Sequence, residues 1–204
     1  MTFSRELMRK GLHLAALVIP WGMLSLDRGP ALVLLGAAAA AALLADWARA
    51  RSPAIQSAVM VLFGKLMRPG EFASVPGAFV VNGATWTLVS AFFLLLVFPA
   101  RIAALAMVMF LLGDAASGLV GRRYGRISWR ISDRTVEGTC AFWAVAVAVA
   151  LIMPGTAIWI GIASALTAGA AEILPGPLND NLQVPAAAAL TVFLLELVVA
   201  VPNH

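Results

Sequence analysis

Seven apolar segments, each close to the length that crosses a lipid bilayer, constrain the fold of this 204-residue chain more than any other feature. A membrane-spanning helix needs about 20 mostly apolar residues, with a usual range of roughly 17–25. The segments lie at residues 8–26, 30–48, 79–98, 102–120, 138–153, 156–174 and 184–201. The expected fold is all-α, a polytopic membrane helix bundle of about seven transmembrane helices, with residues 1-204 forming one integral-membrane domain.

Composition agrees with this expectation. Hydrophobic residues make up 62% of the chain and charged residues 12%, whereas a soluble domain carries about 25% charged residues. The mean hydropathy is +0.94. These values exclude an ordinary soluble domain.

The positions of the basic residues predict the orientation of the bundle. Twelve of the 14 Lys and Arg residues lie at the start of the chain or in the second and fourth connections, and the first and third connections carry one each. The positive-inside rule then places the N-terminus in the cytoplasm and the C-terminus outside. The basic excess therefore belongs to the membrane and not to a nucleic acid, and we expect a prokaryotic plasma (inner) membrane.

Two connections have further features. Residues 53–68 are less apolar than the seven segments and predict an interfacial amphipathic helix or a short re-entrant piece, of which we favour the first. Residues 121–137 form a cytoplasmic loop rich in arginine.

Four carboxylates from different segments are predicted to meet at the cytoplasmic face, beside this loop. They are Asp114, Glu137, Glu172 and Asp180. A charge at membrane depth costs at least ~2.5–3.5 kcal/mol on insertion scales and normally faces a cavity or a partner. Their similar depth on one face of the membrane predicts a single site.

The residue types at this site indicate its chemistry. Carboxylates without thiols favour a hard cation such as Mg²⁺, which typically uses one or two carboxylates plus phosphate oxygens. Arginine presents a forked set of donors that matches phosphate. Together they predict metal-assisted phosphoryl or nucleotidyl transfer at the cytoplasmic surface. The separate elements also have plainer interpretations: the glycines of 113–125 as helix packing, the arginines as contacts to anionic headgroups and His13 as a structural hydrogen-bonding residue.

Five motifs in a fixed order resemble the polyprenol kinase family, which includes dolichol kinase, phytol kinase and the CTP-dependent diacylglycerol kinase. They are "RKGLHL" (9–14), "NGATWTLVS" (82–90), "GDAASGLVGRRYGR" (113–126), "RTVEGTCA" (134–141) and "DNLQVP" (180–185). The resemblance spans nearly the whole chain. One departure is Arg134, where lysine is commoner in the family.

The resemblance implies transfer of the γ-phosphoryl group of CTP, or of another nucleoside triphosphate, to the hydroxyl of a lipid alcohol such as a polyprenol, a phytol-like alcohol or a diacylglycerol. The roles that it suggests are Asp114 and Asp180 as Mg²⁺ ligands with Glu172 as a direct or outer ligand; Arg122, Arg126 and Arg134 as triphosphate-binding residues; Lys10 and Asn181 as further nucleotide-binding residues; and Glu137 as the catalytic base, with His13 as the runner-up.

Two other functions remain open at this level. Phosphatidate cytidylyltransferases share the Gly-Asp pattern, although their C-terminal Lys-Asp…His-Gly-Gly…Asp-Arg signature is missing here. A small ion- or proton-coupled transporter would also contain buried acids, but it would distribute them across the bilayer, and eight of the ten acids are assigned to the cytoplasmic half. The lipid alcohol, the nucleotide base and the oligomeric state are not specified by the sequence.

Overall fold

The computed structural model describes residues 3–64, 78–176 and 178–200. Within these ranges the chain forms helices joined by short connections. The helices are α1 Phe3–Ala15, α2 Val18–Ser25, α3 Arg28–Arg51, α4 Pro53–Phe63, α5 Gly83–Val97, α6 Ala100–Tyr124, α7 Val136–Ile152, α8 Ile158–Ile173 and α9 Asp180–Ala200.

Every one of the seven predicted apolar segments is helical, which confirms the all-α membrane bundle. Among the described residues, three helices are long and apolar enough to cross a membrane by length and composition, namely α3, α6 and α9. Helices α5, α7 and α8 are apolar but shorter, with 15, 17 and 16 residues. The orientation of the bundle in the membrane stays a prediction.

The first predicted segment, 8–26, is not one continuous helix. Helix α1 ends at Ala15, and α2 begins at Val18 after a tight turn in which Ala16 N donates to His13 O at 3.1 Å. Pro20 explains the break, because a proline lacks the N–H that an uninterrupted helix needs and its ring clashes with the carbonyl four residues earlier. The turn therefore ends α1 two residues after His13.

Helix α6 is the centre of the bundle. It packs against α1, α2, α5, α7, α8 and α9, and consecutive side chains along it are buried, including Leu105, Met107 and Phe110. A helix that is buried on all sides must be apolar all round, and α6 follows this rule until Asp114. Gly113 lets α7 approach closely, since a Cβ at that position would lie 2.7 Å from Phe142 Cε2.

The basic loop is shorter than predicted, because α6 continues to Tyr124 and α7 begins at Val136. The residues between them form a small hairpin in which Trp129 N donates to Arg134 O at 2.9 Å and Val136 N to Ile127 O at 2.8 Å. The Thr135 hydroxyl caps α7 by accepting from Gly138 N at 3.2 Å. This hairpin places Arg134 directly at the start of α7.

The predicted interfacial segment 53–68 begins as the helix α4, which Ser52 and Pro53 start. Its 11 residues are about 16 Å long, well short of the roughly 30 Å of a bilayer's hydrocarbon core. Residues 65–68 lie outside the described residues. The interfacial position of α4 stays a prediction.

Candidate active site

A buried ion pair joins α1 to α6. Lys10 Nζ donates to the carboxylate of Asp114 and, at 2.6 Å, to the backbone carbonyl of the same residue. His13, three residues after Lys10 and therefore on the same face of α1, has its Nε2 3.3 Å from Asp114 Oδ2. Its ring packs edge-on against Phe110, with the ring centroids 5.2 Å apart. Asp114 is thus held by two nitrogen-bearing side chains of α1.

Arg134 brings three acidic side chains together from three helices. Its Nη1 lies 3.3 Å from Glu172 Oε1 on α8 and 3.9 Å from Asp114 Oδ1 on α6, and its Nη2 donates to Asp180 Oδ2 on α9 at 2.6 Å. Burial acts to lower the pKa of Arg134, but Glu172, Asp114 and Asp180 outweigh it and hold that pKa above its ordinary value. We call the set of side chains joined in this way the Arg134 cluster: Lys10, His13, Asp114, Arg134, Glu172 and Asp180.

The Arg134 cluster contains more acidic than basic charge. Its three carboxylates face two fixed cations, Lys10 and Arg134, so their formal charges leave one negative charge in excess. Glu172 is buried, and its Oε1 lies 3.3 Å from Arg134 Nη1. This count takes His13 as neutral and all three carboxylates as ionised. A cationic ligand would offset the excess, because a buried charge without full compensation costs several kcal/mol.

The cluster fits Mg²⁺ in its chemistry. All of the acidic ligands are hard oxygens, and Mg²⁺ is usually held by one or two carboxylates with the remaining positions filled by water or phosphate. In the described part of the chain, no three Asp, Glu, His or Cys side chains lie close enough to hold an ion by themselves. The guanidinium of Arg134 stands between the carboxylates, so any ion would depend on oxygens from a bound phosphate as well.

The first turn of α9 is the most exposed part of the site. The Asp180 side chain is 40% exposed, against 2% for Glu172 and 6% for Asp114. The neighbouring Asn181 turns inward, where its Nδ2 donates to the Gly83 carbonyl at 2.6 Å and to Thr87 Oγ1 at 3.2 Å. In this arrangement, Asn181 contacts α5 rather than the Arg134 cluster.

Arg122 belongs to a second polar group, next to Lys10. Its Nη2 lies 3.5 Å from Glu6 Oε2, and Arg9 also pairs with the buried carboxylate of Glu6. Gly118 makes room for both groups, because a Cβ there would lie 3.0 Å from Lys10 Nζ and 3.1 Å from Glu6 Oε1. The glycine pattern of α6 therefore allows α1 to approach with its charged side chains.

Two of the predicted site residues lie outside the Arg134 cluster, Arg126 in the hairpin and Glu137 in the first turn of α7. Glu137 accepts from the backbone N–H of Arg126 at 3.0 Å and of Ile127 at 3.4 Å. Arg126 is exposed, and its guanidinium forms no ion pair with any described residue. Glu137 thus stabilises the hairpin, and Arg126 is available to a ligand at the surface.

Two buried carboxylates, Glu6 and Asp46, were not assigned to the site from the sequence. They are only 2% and 3% exposed. Each lies three residues before an arginine on its helix, Arg9 and Arg49 respectively, and pairs with it. This spacing places opposite charges on one helical face, and it was the signal in the sequence that could have identified both residues.

Comparison with known proteins finds similarity to one lipid kinase. A stretch of 42 residues is 40% identical to dolichol kinase from Saccharomyces cerevisiae, and it covers 21% of this chain and 8% of that kinase. No protein-family model matches the chain, and no solved structure matches it. The similarity is therefore local, and it agrees with the family that the five motifs resemble.

Proposed function

We propose that this protein is a membrane lipid kinase, which transfers the γ-phosphoryl group of a nucleoside triphosphate, preferably CTP, to the hydroxyl of a lipid alcohol. The observation that carries the proposal is the Arg134 cluster, in which one guanidinium meets carboxylates of α6, α8 and α9 at one end of a membrane bundle. The local similarity to a dolichol kinase supports the same reaction class.

The residues around the cluster suit the demands of phosphoryl transfer. The reaction needs charge neutralisation and in-line positioning more than covalent chemistry from the protein. Arg134, with Arg122 and Arg126 on the exposed side, would bind the triphosphate, while Lys10 supplies a buried cation. Asn181, which donates to α5, would support the turn of Asp180 from behind. The lipid alcohol enters from the membrane, so both substrates meet where α6 reaches the surface.

Asp114, Glu172 and Asp180 are the residues that would hold Mg²⁺. When bound, the ion would neutralise phosphate charge and help to align the triphosphate. Glu172, whose Oε1 lies 3.3 Å from Arg134 Nη1, would supply a further carboxylate oxygen. Asp114 also orients Lys10 and His13 on α1.

His13 is a stronger candidate for the catalytic base than Glu137. A carboxylate beside an imidazole can orient the ring and stabilise its protonated form, and Asp114 lies 3.3 Å from His13 Nε2. Glu137 instead uses both carboxylate oxygens for backbone N–H groups of the hairpin. In this role His13 would take the proton of the lipid hydroxyl as the phosphoryl group is transferred.

The decisive experiment uses CTP labelled at either the α or the γ phosphorus, purified protein, Mg²⁺ and a set of lipid alcohols and phosphatidate. We expect label in the lipid product only from the γ position. Label that reaches lipid only from the α position would mean a cytidylyltransferase, and the proposed kinase would then be wrong.

We also propose that the site faces the cytoplasm, because the positive-inside rule places the connection that contains Arg134 on that side. Asp133 is exposed in the hairpin and offers a position for a test. In a Cys140→Ser background, which removes the single cysteine, an Asp133→Cys variant should react with a membrane-impermeant maleimide in inverted vesicles and not in intact cells. The reverse pattern would contradict the orientation.

A further inference from the structure

A buried polar cluster at the N-terminus of α5 has no part in the chemistry described above. Asp46 near the end of α3 accepts three hydrogen bonds, from Asn82 N at 3.0 Å, Asn82 Nδ2 at 2.8 Å and Thr85 Oγ1 at 2.7 Å. Arg49 Nη2 lies 3.3 Å from the same carboxylate and donates to the Val80 carbonyl at 2.7 Å. A buried carboxylate is tolerated when it is satisfied in this way.

These contacts fix the start of α5. Asn82 is its N-cap residue and accepts from Thr85 N at 3.0 Å, so Asp46 holds both the capping side chain and its partner residue. A side-chain cap of this kind stabilises a helix by about 0.5–2 kcal/mol. Here Asp46 also determines where that end lies against α3.

The start of α5 in turn holds the start of α9. The Gly83 carbonyl and Thr87 Oγ1, both on α5, accept from Asn181 Nδ2. A second amide, Gln183 Nε2, ties the same turn of α9 to α8 through the Ala171 carbonyl at 2.9 Å. The turn that carries Asp180 is therefore held by two side-chain amides, and only the first of them depends on α5.

We infer that Asp46 is a positioning residue for the active site, which acts through α5 and Asn181 to place Asp180 beside Arg134. The inference rests on the proposed function, because Asp180 matters only if the Arg134 cluster binds a metal–nucleotide complex. No contact joins Asp46 to the cluster directly, so its effect must pass through the hydrogen bonds of Asn82, Thr85 and Asn181.

The test compares Asp46→Asn with a matched variant, Glu196→Gln. Both replace an ion-paired carboxylate by its amide, but Glu196 is near the opposite end of α9, where it pairs with Arg101. Amide hydrogen exchange over residues 178–184 reports the position of the α9 start without any need for activity. Binding of a fluorescent CTP analogue with Mg²⁺ and the transfer of the γ-phosphoryl group are measured on the same samples.

We expect Asp46→Asn to speed amide exchange at residues 178–184 and to weaken Mg²⁺–CTP binding about 10–100-fold, the usual cost of losing a partner that orients a metal ligand. The turnover number at saturating CTP should fall much less. Glu196→Gln should change neither measurement. Thr85→Val, which removes one hydrogen bond to Asp46, should show the same pattern to a smaller degree and carries the test if Asp46→Asn does not fold.

The outcomes separate this inference from the proposed function. If the wild type binds Mg²⁺–CTP but phosphorylates no lipid alcohol, the kinase proposal fails while the binding comparison still decides the role of Asp46. Unchanged exchange at residues 178–184 in a folded variant would overturn the inference. So would faster exchange with undiminished binding, because Asp46 would then anchor the helices without positioning the site.

Discussion

The two ends of the α6–α9 pair both bring an arginine to acidic side chains, but in opposite environments. At the Arg101 end, Arg101 Nη1 binds Glu196 Oε1 at 2.7 Å and the Gly155 carbonyl at 2.9 Å, with 44% of the Arg101 side chain exposed. At the other end, Arg134 is 22% exposed and meets three carboxylates, of which Glu172 and Asp114 are buried.

This difference shows why an ion pair alone does not mark a functional site. The Arg101 pair is balanced in charge and partly solvated, so it adds about 0–1 kcal/mol of stability and leaves nothing for a ligand to satisfy. The Arg134 cluster is buried and keeps an excess of negative charge. Removing a group from it should affect ligand binding and catalysis, whereas the same change at the Arg101 end should not.

The largest effect is expected for Asp114→Asn. The change removes the charge that pairs with Lys10 and one of the proposed metal ligands, so phosphoryl transfer should fall about 10²–10³-fold. The measurement is the initial rate of γ-phosphoryl transfer to lipid in purified membranes, with Glu196→Gln as the control. Activity of Asp114→Asn equal to that of the control would show that the Arg134 cluster is not the site.

At the Arg134 end of the molecule, His13→Gln should lower turnover much more than Glu137→Gln. Loss of a general base costs about 10²–10⁴-fold, and we expect a value near the lower limit because hydroxide and water can partly replace it. Glu137→Gln loses hydrogen bonds to the hairpin, so it should lower the thermal stability of the protein while turnover changes little. The pH profile of turnover is measured for both variants. If Glu137→Gln alone abolished the fall in turnover at acidic pH, Glu137 and not His13 would be the base.

Replacing Arg134 and Arg101 by lysine, one at a time, compares the two ends directly. Lysine keeps the charge but cannot span several carboxylates with one planar fork, so Arg134→Lys should raise the CTP concentration for half-maximal rate about tenfold. Arg101→Lys should leave that concentration unchanged. If both variants changed the CTP concentration for half-maximal rate equally, the proposal that only the Arg134 end binds nucleotide would be wrong.

The smallest effects should come from glycine substitutions along the bundle. A Cβ at Gly118 would crowd Lys10 and Glu6, and one at Gly161 would lie 2.9 Å from Ala150 Cβ, far from the cluster. Gly161→Ala should cost about 1–3 kcal/mol of stability through overpacking and spare nucleotide affinity. Gly118→Ala should lower nucleotide affinity as well. Thermal unfolding in detergent measures stability, and CTP titration measures nucleotide affinity. A larger loss of affinity in Gly161→Ala than in Gly118→Ala would contradict the placement of Lys10.

Much of the fold followed from the positions of apolar residues. Six of the seven segments each contain one helix and the first contains two, because the length of an apolar run is itself the requirement for crossing a bilayer. The break after Ala15 was also visible in principle, since Pro20 cannot continue a helix that began before it. The end of α6 at Tyr124 was not, because hydropathy falls at the arginines of its last turn while the helix continues through them.

For the candidate site, the sequence predicted that Asp114, Glu172 and Asp180 would be neighbours, since they lie at similar depth on one face. It assigned Glu137 to the same group, yet this carboxylate turns to the hairpin backbone. Depth along a helix is encoded in residue number, but the direction of a side chain around the helix depends on packing. Glu6 and Asp46 were missed for a different reason, since their spacing to Arg9 and Arg49 was visible in the sequence.

The sequence by itself determined that the chain is a helical membrane bundle, where its apolar segments lie and which charged residues share one end of the bundle. Only the tertiary structure decided that Arg134 is the group shared by the carboxylates, that Lys10 and His13 converge on Asp114 from α1, and that Asp46 and Asn181 both form hydrogen bonds to α5. Hydrophobic length is a local property of the chain. Ion pairs between helices depend on which faces pack together, and that is determined by all of the helices at once.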